Sequence, residues 1–179
     1  MFAVDIRQWK TPEDLRKHLS GYDPVIASWA HGVVMHHTYR PLPSQWRGEA
    51  TMRGLINWYS NLGWTAGPHL FIAIGSPIPD NDGIWQLTPL NLRGIHAGKA
   101  NAWSWGIEMV GNYDLAPWPA LVQEYAVESA VALMQWRGIQ YGPRAVLGHR
   151  ETGSPKTCPG TKVDMDDFRK RVAQKLEAK

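Results

Sequence analysis

A chain of 179 residues is long enough to bury a real core within one domain. Its 44% apolar and 20% charged residues are ordinary for a globular protein and exclude disorder as the default state. The net charge is only +3, with no run of Lys and Arg interleaved with aromatics, which argues against a nucleic-acid partner.

The first residues, Met1-Phe2-Ala3-Val4-Asp5-Ile6-Arg7, lack a basic start followed by an apolar block, so no secretory signal is expected. Thr11-Pro12-Glu13-Asp14 reads as an N-cap, a proline at the first helical position and acids in the first turn of a helix running to about Leu19. Gly32 to His37 is an apolar run ending in polar residues, a buried strand whose end reaches a site. Glu49 to Asn61 carries Met52, Leu55, Ile56 and Tyr59 at helical spacing, with Gly63 closing the helix.

His69 to Ile74 reads as a strand, Pro77 to Gly83 as a turn, and Ile84 to Leu87 as the return strand of a hairpin. Trp105 to Val110 is a further strand. Leu121 to Trp136 is the longest helix, with Val122, Ala126, Ala130 and Leu133 on one face. Ala145 to Leu147 is a short strand entering Gly148-His149, and a last helix from about Asp164 places Phe168, Val172 and Leu176 four apart. Hairpin strands mixed with long helices predict an α/β fold, a mixed central β-sheet flanked by helices, with residues 1–179 forming a single domain. No apolar stretch approaches the roughly 18–20 residues of a membrane span.

The single cysteine, Cys158, excludes an internal disulfide and leaves a thiol free for chemistry or metal. His36 ends a strand, while His149 and Cys158 share a loop containing Gly and Pro. Imidazole and thiolate are good zinc donors, and a catalytic zinc typically takes three protein ligands and leaves one position open. A lone strand histidine is more often a structural hydrogen-bonding residue, and a lone cysteine a small buried hydrophobe. The same pair also suits a thiol hydrolase with Cys158 as nucleophile and His149 as base. Lys156, two residues before the thiol, places a cation where it can lower a thiol pKa or stabilise an oxyanion; the plainer alternative is a surface lysine in a turn. Glu108 interrupts an apolar strand between Ile107 and Met109, which suits either a general base of raised pKa or a member of a structural ion pair. One cysteine cannot supply the Cys pair of a zinc nucleobase deaminase, and there is no His-Glu-x-x-His helix. Ten tryptophans are unusual; Trp rings stack on sugars, but most simply fill cores.

Four segments together carry a resemblance. Val33-Val34-Met35-His36-His37-Thr38, Gly94-Ile95-His96-Ala97-Gly98, Trp105-Gly106-Ile107-Glu108-Met109-Val110-Gly111, and Gly148-His149-Arg150-Glu151 followed by Lys156-Thr157-Cys158-Pro159 occur in this order. They resemble the zinc-histidine strand, His-Ala-Gly turn, Gly-Ile-Glu strand and third-ligand loop of the N-acetylmuramoyl-L-alanine amidase type 2 family. That family includes phage amidase lysozymes, wall-recycling amidases and animal peptidoglycan recognition proteins. The resemblance implies His36, His149 and Cys158 as Zn2+ ligands, Lys156 as transition-state stabiliser, and peptidoglycan or muropeptide as substrate. Phage-type members carry a tyrosine where this chain has Pro68; recycling-type members use the glutamate matched by Glu108, which the resemblance therefore implies as the base. His37, His69 and His96 are further candidates to line the cleft and bind substrate.

A compact, basic chain without a leader or a separate wall-binding domain points to a phage endolysin, made in the host cytoplasm, monomeric and acting on the bacterial wall. A muropeptide-recycling amidase and a non-catalytic peptidoglycan-binding module are the alternatives. Recognition members that do not cut typically lack the third ligand, whereas Cys158 is present here.

Overall fold

The computed structural model describes residues 1–178. Six strands form one sheet: β1 (Arg7–Trp9), β2 (Gly32–His37), β3 (Leu70–Ala73), β4 (Gly83–Gln86), β5 (Ser104–Met109) and β6 (Val146–Gly148). Their order across the sheet is β1-β4-β3-β5-β2-β6. β5 runs parallel to both β2 and β3, and β6 runs parallel to β2. The β3–β4 hairpin and the β1–β4 pair are antiparallel, so the sheet is mixed as expected. β2 and β5 are buried along their whole length, which is why both read as nearly continuous apolar runs.

Four helices cover the sheet: α1 (Pro12–Leu19), α2 (Glu49–Asn61), α3 (Ala120–Arg137) and α4 (Met165–Glu177). The start of α1 is fixed by a reciprocal cap. The Asp14 N–H donates to Thr11 Oγ1 at 3.2 Å, and the Thr11 N–H donates to Asp14 Oδ2 at 3.0 Å. Gly138, in the left-handed conformation at φ 71°, ends α3. Asp164 caps α4 through the N–H groups of Asp166 and Asp167, both at 2.9 Å.

Strand alternation divides the core in two. Met35, Ile107, Met109, Leu70, Ile72 and Ile84 face one side, where they pack with Leu15 of α1, Val122, Ala126, Ala130 and Leu133 of α3, and Phe168 and Val172 of α4. Phe71, Trp85 and Leu87 face the other, under Met52 and Tyr59 of α2 and the fully buried Trp46. The second side is only partly covered by α2, and the uncovered part holds the polar strand ends. Trp46 and Trp105 are fully buried, so several of the tryptophans fill the core; Trp58 stays exposed. Among the described residues no helix is long and apolar enough to cross a membrane.

The three helices of the first side are joined by one carboxylate. Glu128 of α3 pairs with Arg16 of α1 and, at 2.6 Å, with Lys175 of α4. Partial burial pushes the Glu128 pKa up, but the hydrogen bonds from Lys175 and Arg16 outweigh it and hold the carboxyl below its ordinary value. A depressed folded-state pKa means stabilisation that is present above the unfolded value of about 4.3 and lost as pH falls through the folded value. Glu128→Gln is therefore expected to cost about 1–2 kcal/mol in urea unfolding at pH 7, and distinctly less at pH 3.

Candidate metal centre and cleft

The site lies where the C-terminal ends of parallel β2, β5 and β6 meet, on the partly covered side of the sheet. Register pairs His36 with Glu108, and Glu108 with Phe71, so the His36 and Glu108 side chains share the face that α2 covers. The chain leaving β6 turns at once into a 3-10 segment that begins with His149. The loop carrying Cys158 is fastened below it. The Arg150 N–H donates to the Cys158 carbonyl at 2.7 Å, and the Arg150 guanidinium donates to the carbonyls of Gly160 and Val163 at 2.5 and 2.8 Å. Asp114 holds the same loop from the other side, accepting from Thr157 Oγ1 at 2.9 Å and from the Thr161 N–H at 2.8 Å.

These constraints bring one donor atom each from His36, His149 and Cys158 within 4.8 Å of one another. Cys158 Sγ lies 3.5 Å from His36 Nδ1, and the rings of His36 and His149 have centroids 4.6 Å apart. A hydrogen-bond chain fixes which nitrogen of His36 faces this cluster. The Ser104 carbonyl can only accept, so His96 Nε2, at 3.0 Å, carries a proton and donates to it. Burial, with His69 beside it, pushes the His96 pKa down to about 3, so the ring is neutral and its Nδ1 accepts. That Nδ1 lies 3.0 Å from His36 Nε2, which therefore donates and leaves the His36 Nδ1 lone pair aimed at Cys158 and His149. Gly106 makes the stack possible, because a Cβ there would meet the His96 ring at 2.6 Å.

The cluster has the chemistry of a divalent metal site. Two neutral imidazoles and a thiol form a donor set suited to zinc, with a cleft on the remaining side for a fourth ligand. Burial, then His96 and His149, lowers the His36 pKa well below its usual value; burial and Lys156 bring His149 to about 4. Both are neutral, as ligands must be. Burial and Glu108 push the Cys158 thiol up, while the His37 N–H donates to its sulfur at 3.4 Å. A bound cation reverses the balance for the thiol.

The cleft encloses about 450 Å³. His37, His96, Glu108 and Lys156 also line it, with Tyr39, Trp58, Tyr59 and Trp64 as an aromatic wall. Glu108 is 8% exposed, and burial raises its pKa to about 8 against the pull of Lys156. Its Oε2 has no hydrogen-bond partner, and the carboxylate has no salt bridge among the described residues. The ion-pair reading of Glu108 therefore fails. Lys156 is exposed at the cleft mouth, where its charge acts on His149, Glu108 and Cys158.

The matching family model, described as N-acetylmuramoyl-L-alanine amidase, covers residues 27–161. The chain belongs to that family. No curated protein matches the amidase-family chain. Solved structures do resemble its fold. The N-acetylmuramoyl-L-alanine amidase LysC from Clostridium intestinale is 20% identical, with a TM-score of 0.64 over 82% of this chain and 87% of that one. A single-residue variant of Drosophila PGRP-LB in complex with tracheal cytotoxin is 21% identical, with a TM-score of 0.64 over 93% and 86%. The endolysin of the Thermus scotoductus bacteriophage Ph2119 is 22% identical, with a TM-score of 0.59 over 80% and 84%.

Of the three expected cleft histidines in this amidase-family chain, His37 and His96 line the cleft and His69 needs correction. His69 does not line the cleft: it is wholly buried, its Nδ1 accepts from the Gly106 N–H at 3.0 Å and its Nε2 donates to the Leu92 carbonyl at 3.0 Å. It ties β3 to β5 and has no atom left for a ligand. His96 touches the cleft, but both ring nitrogens are engaged with Ser104 and His36, so it orients His36 and has none to offer substrate. His37 differs. Its Nδ1 accepts from the Tyr113 N–H at 3.0 Å, so Nε2 carries the ring proton, with no acceptor among the described residues, in a residue that lines the cleft. The aromatic wall and the Asp114 clamp were not anticipated from sequence; their signal, aromatic residues at 58, 59 and 64, is indistinguishable from core filling before the chain is folded.

The buried histidines make stability depend on pH. Burial lowers the His69 pKa to about 4. An unfolded imidazole titrates near 6.5, so between 6.5 and 4 the unfolded chain binds more protons and stability falls as pH falls. For the metal-free protein, the urea midpoint is expected to drop steadily from pH 6.5 to 4. His69 alone contributes on the order of 3 kcal/mol of this drop, and His69→Gln should make it shallower by about that amount while the other buried histidines keep the rest.

Proposed function

We propose that this protein is a zinc-dependent N-acetylmuramoyl-L-alanine amidase that hydrolyses the amide between the muramic acid lactyl group and L-alanine of peptidoglycan. The convergence of the His36, His149 and Cys158 donor atoms, beside an unpaired buried carboxylate, carries this reading. Purely binding members of the fold have no need of a carboxylate left unpaired at the end of a strand, which favours an enzyme over a recognition module.

His36 through Nδ1, His149 and Cys158 would hold the metal, which supplies Lewis acidity to the scissile carbonyl and to the attacking water. Glu108 then takes the proton of that water and passes it to the leaving amine of L-alanine. A pKa raised to about 8 suits this exchange, since the group must give the proton back as well as accept it. Lys156 neutralises the charge that develops on the lactyl oxygen, and the His37 Nε2–H donates to substrate at the cleft edge. The chain acts as one catalytic unit and a monomer. Its basic charge supports an endolysin working on intact wall, as does the likeness of its fold to two solved structures named endolysins, LysCS and that of bacteriophage Ph2119.

Digestion of purified sacculi by the zinc-loaded protein, followed by mass spectrometry, is expected to release free L-alanine amino termini and leave glycan strands uncut. New reducing ends without new amines would point to a glycosidase, and cleavage restricted to soluble fragments would favour the recycling alternative. Chelation should abolish the release and added zinc restore it, with Cys158→Ser losing most zinc affinity. Full activity in verified metal-free protein would revive Cys158 as a thiol nucleophile.

Glu108→Gln separates catalysis from stability. The variant should keep zinc and lose about 100-fold or more in kcat. Because the folded carboxyl titrates above its unfolded value, Glu108 by itself contributes a loss of stability as pH rises from about 4.5 to 8. It opposes the histidines up to pH 6.5 and acts against no histidine change above it, and the glutamine should remove that contribution. A variant that melts lower but stays active would end the assignment.

A further inference from the structure

Tyr59 has no task in the mechanism above, yet it occupies the cleft wall. α2 packs it into one cluster with Phe71, the register partner of Glu108, near enough for the Glu108 carboxylate to act on the phenol. Its ring stacks on Trp64 at 5.1 Å between centroids and 3° between planes. Its edge packs against Gly67, where an added Cβ would meet the ring at 3.0 Å. Gly67 is followed by Pro68, which lines the cleft and offers no donor. Tyr59 is only 6% exposed, and that residual exposure opens on the cleft.

The hydroxyl makes no hydrogen bond to the described residues, unlike the hydroxyls of Tyr113 and Tyr125, which both donate to backbone carbonyls. The hydroxyl is not sealed in the core: it keeps a little exposure in a residue that lines the cleft, so it is left free to bond whatever fills that cleft. Burial, with Glu108 nearby, raises its pKa well above the usual value, so the group remains a donor throughout the working range of pH.

We infer that Tyr59 is a further substrate-binding residue whose hydroxyl donates a hydrogen bond to a carbonyl oxygen of the bound muropeptide, on the α2 side of the cleft. The inference rests on the muropeptide reading above. The aromatic stack fixes the phenol before substrate arrives, so little rotamer entropy is lost in making the bond.

Tyr59→Phe keeps the stack and deletes only the oxygen. Calorimetric titration with N-acetylmuramoyl-L-alanyl-D-isoglutamine, comparing zinc-loaded Glu108→Gln with the Glu108→Gln, Tyr59→Phe double variant, measures binding without turnover. The double variant should bind about 5–10-fold more weakly. The single Tyr59→Phe protein should lose a comparable factor or more in kcat/KM while melting at the same temperature or higher, since an unpaired hydroxyl has been removed. A Kd within twofold of the parent overturns the inference and leaves Tyr59 as packing. The amidase reading is judged separately, by whether unmutated protein releases L-alanine amino termini. A protein that binds but does not cut would sink that reading while the Kd comparison still decides Tyr59, and one that neither binds nor cuts would overturn both.

Discussion

The parallel pairing of β2 with β5 is the constraint from which the rest of the site follows. Register places His36 directly beside Glu108, and the period of two in a strand sends both side chains to the same face. Met35 and Ile107, one step away, go to the opposite face and into the core under α3. A slip of one residue would exchange the two sets, putting a histidine and a carboxylate among aliphatic side chains and exposing the core residues in the cleft. Packing therefore fixes the polar geometry: the apolar half of each strand leaves one register in which the fold closes.

The buried polar groups around the cleft fall into two kinds. His69 and His96 are fully engaged, with neighbours that leave little freedom. Gly106 lies close under His96, and the Asn101 side chain accepts from the N–H groups of both His96 and Ala97, at 2.9 and 2.7 Å. Glu108 Oε2 is buried and unpaired, and the Tyr59 hydroxyl is unpaired with a little exposure, in two residues that line the cleft. The engaged groups hold the open ones rigidly, so the desolvation cost of an unpaired carboxylate is sustained by a well-packed surround.

Much of this was readable in the sequence where one physical signal dominated. The Thr11-Pro12 cap, the apolar period of α3 and the Asp164 cap each fixed a helix end to within a residue or so. β1 went unread, because three residues at a sheet edge, Arg7-Gln8-Trp9, show no periodicity; their order comes from pairing with β4. Glu108 stood out because a carboxylate in an apolar strand demands a reason. His69 and His96 misled because residue type alone does not say which ring nitrogens the backbone already occupies. Pro68 drew attention to a missing hydroxyl at its own position, while Tyr59, nine residues earlier on α2, looked like any apolar helix residue until the fold set it against Gly67.

The strand order also governs when the cluster can come together during folding. β2 enters the chain early, but its neighbours β5 and β6 are formed by residues roughly 70 and 110 positions later. Such non-local parallel contacts close long loops and are made slowly. His149 and Cys158 become neighbours of His36 only after β6 has docked at the edge of the sheet, so a nascent or partly folded chain offers a metal ion scattered single donors and no chelate. Tight capture of a metal by this cluster would in this way be deferred until the topology is complete, and its onset would mark the docking of the last strand.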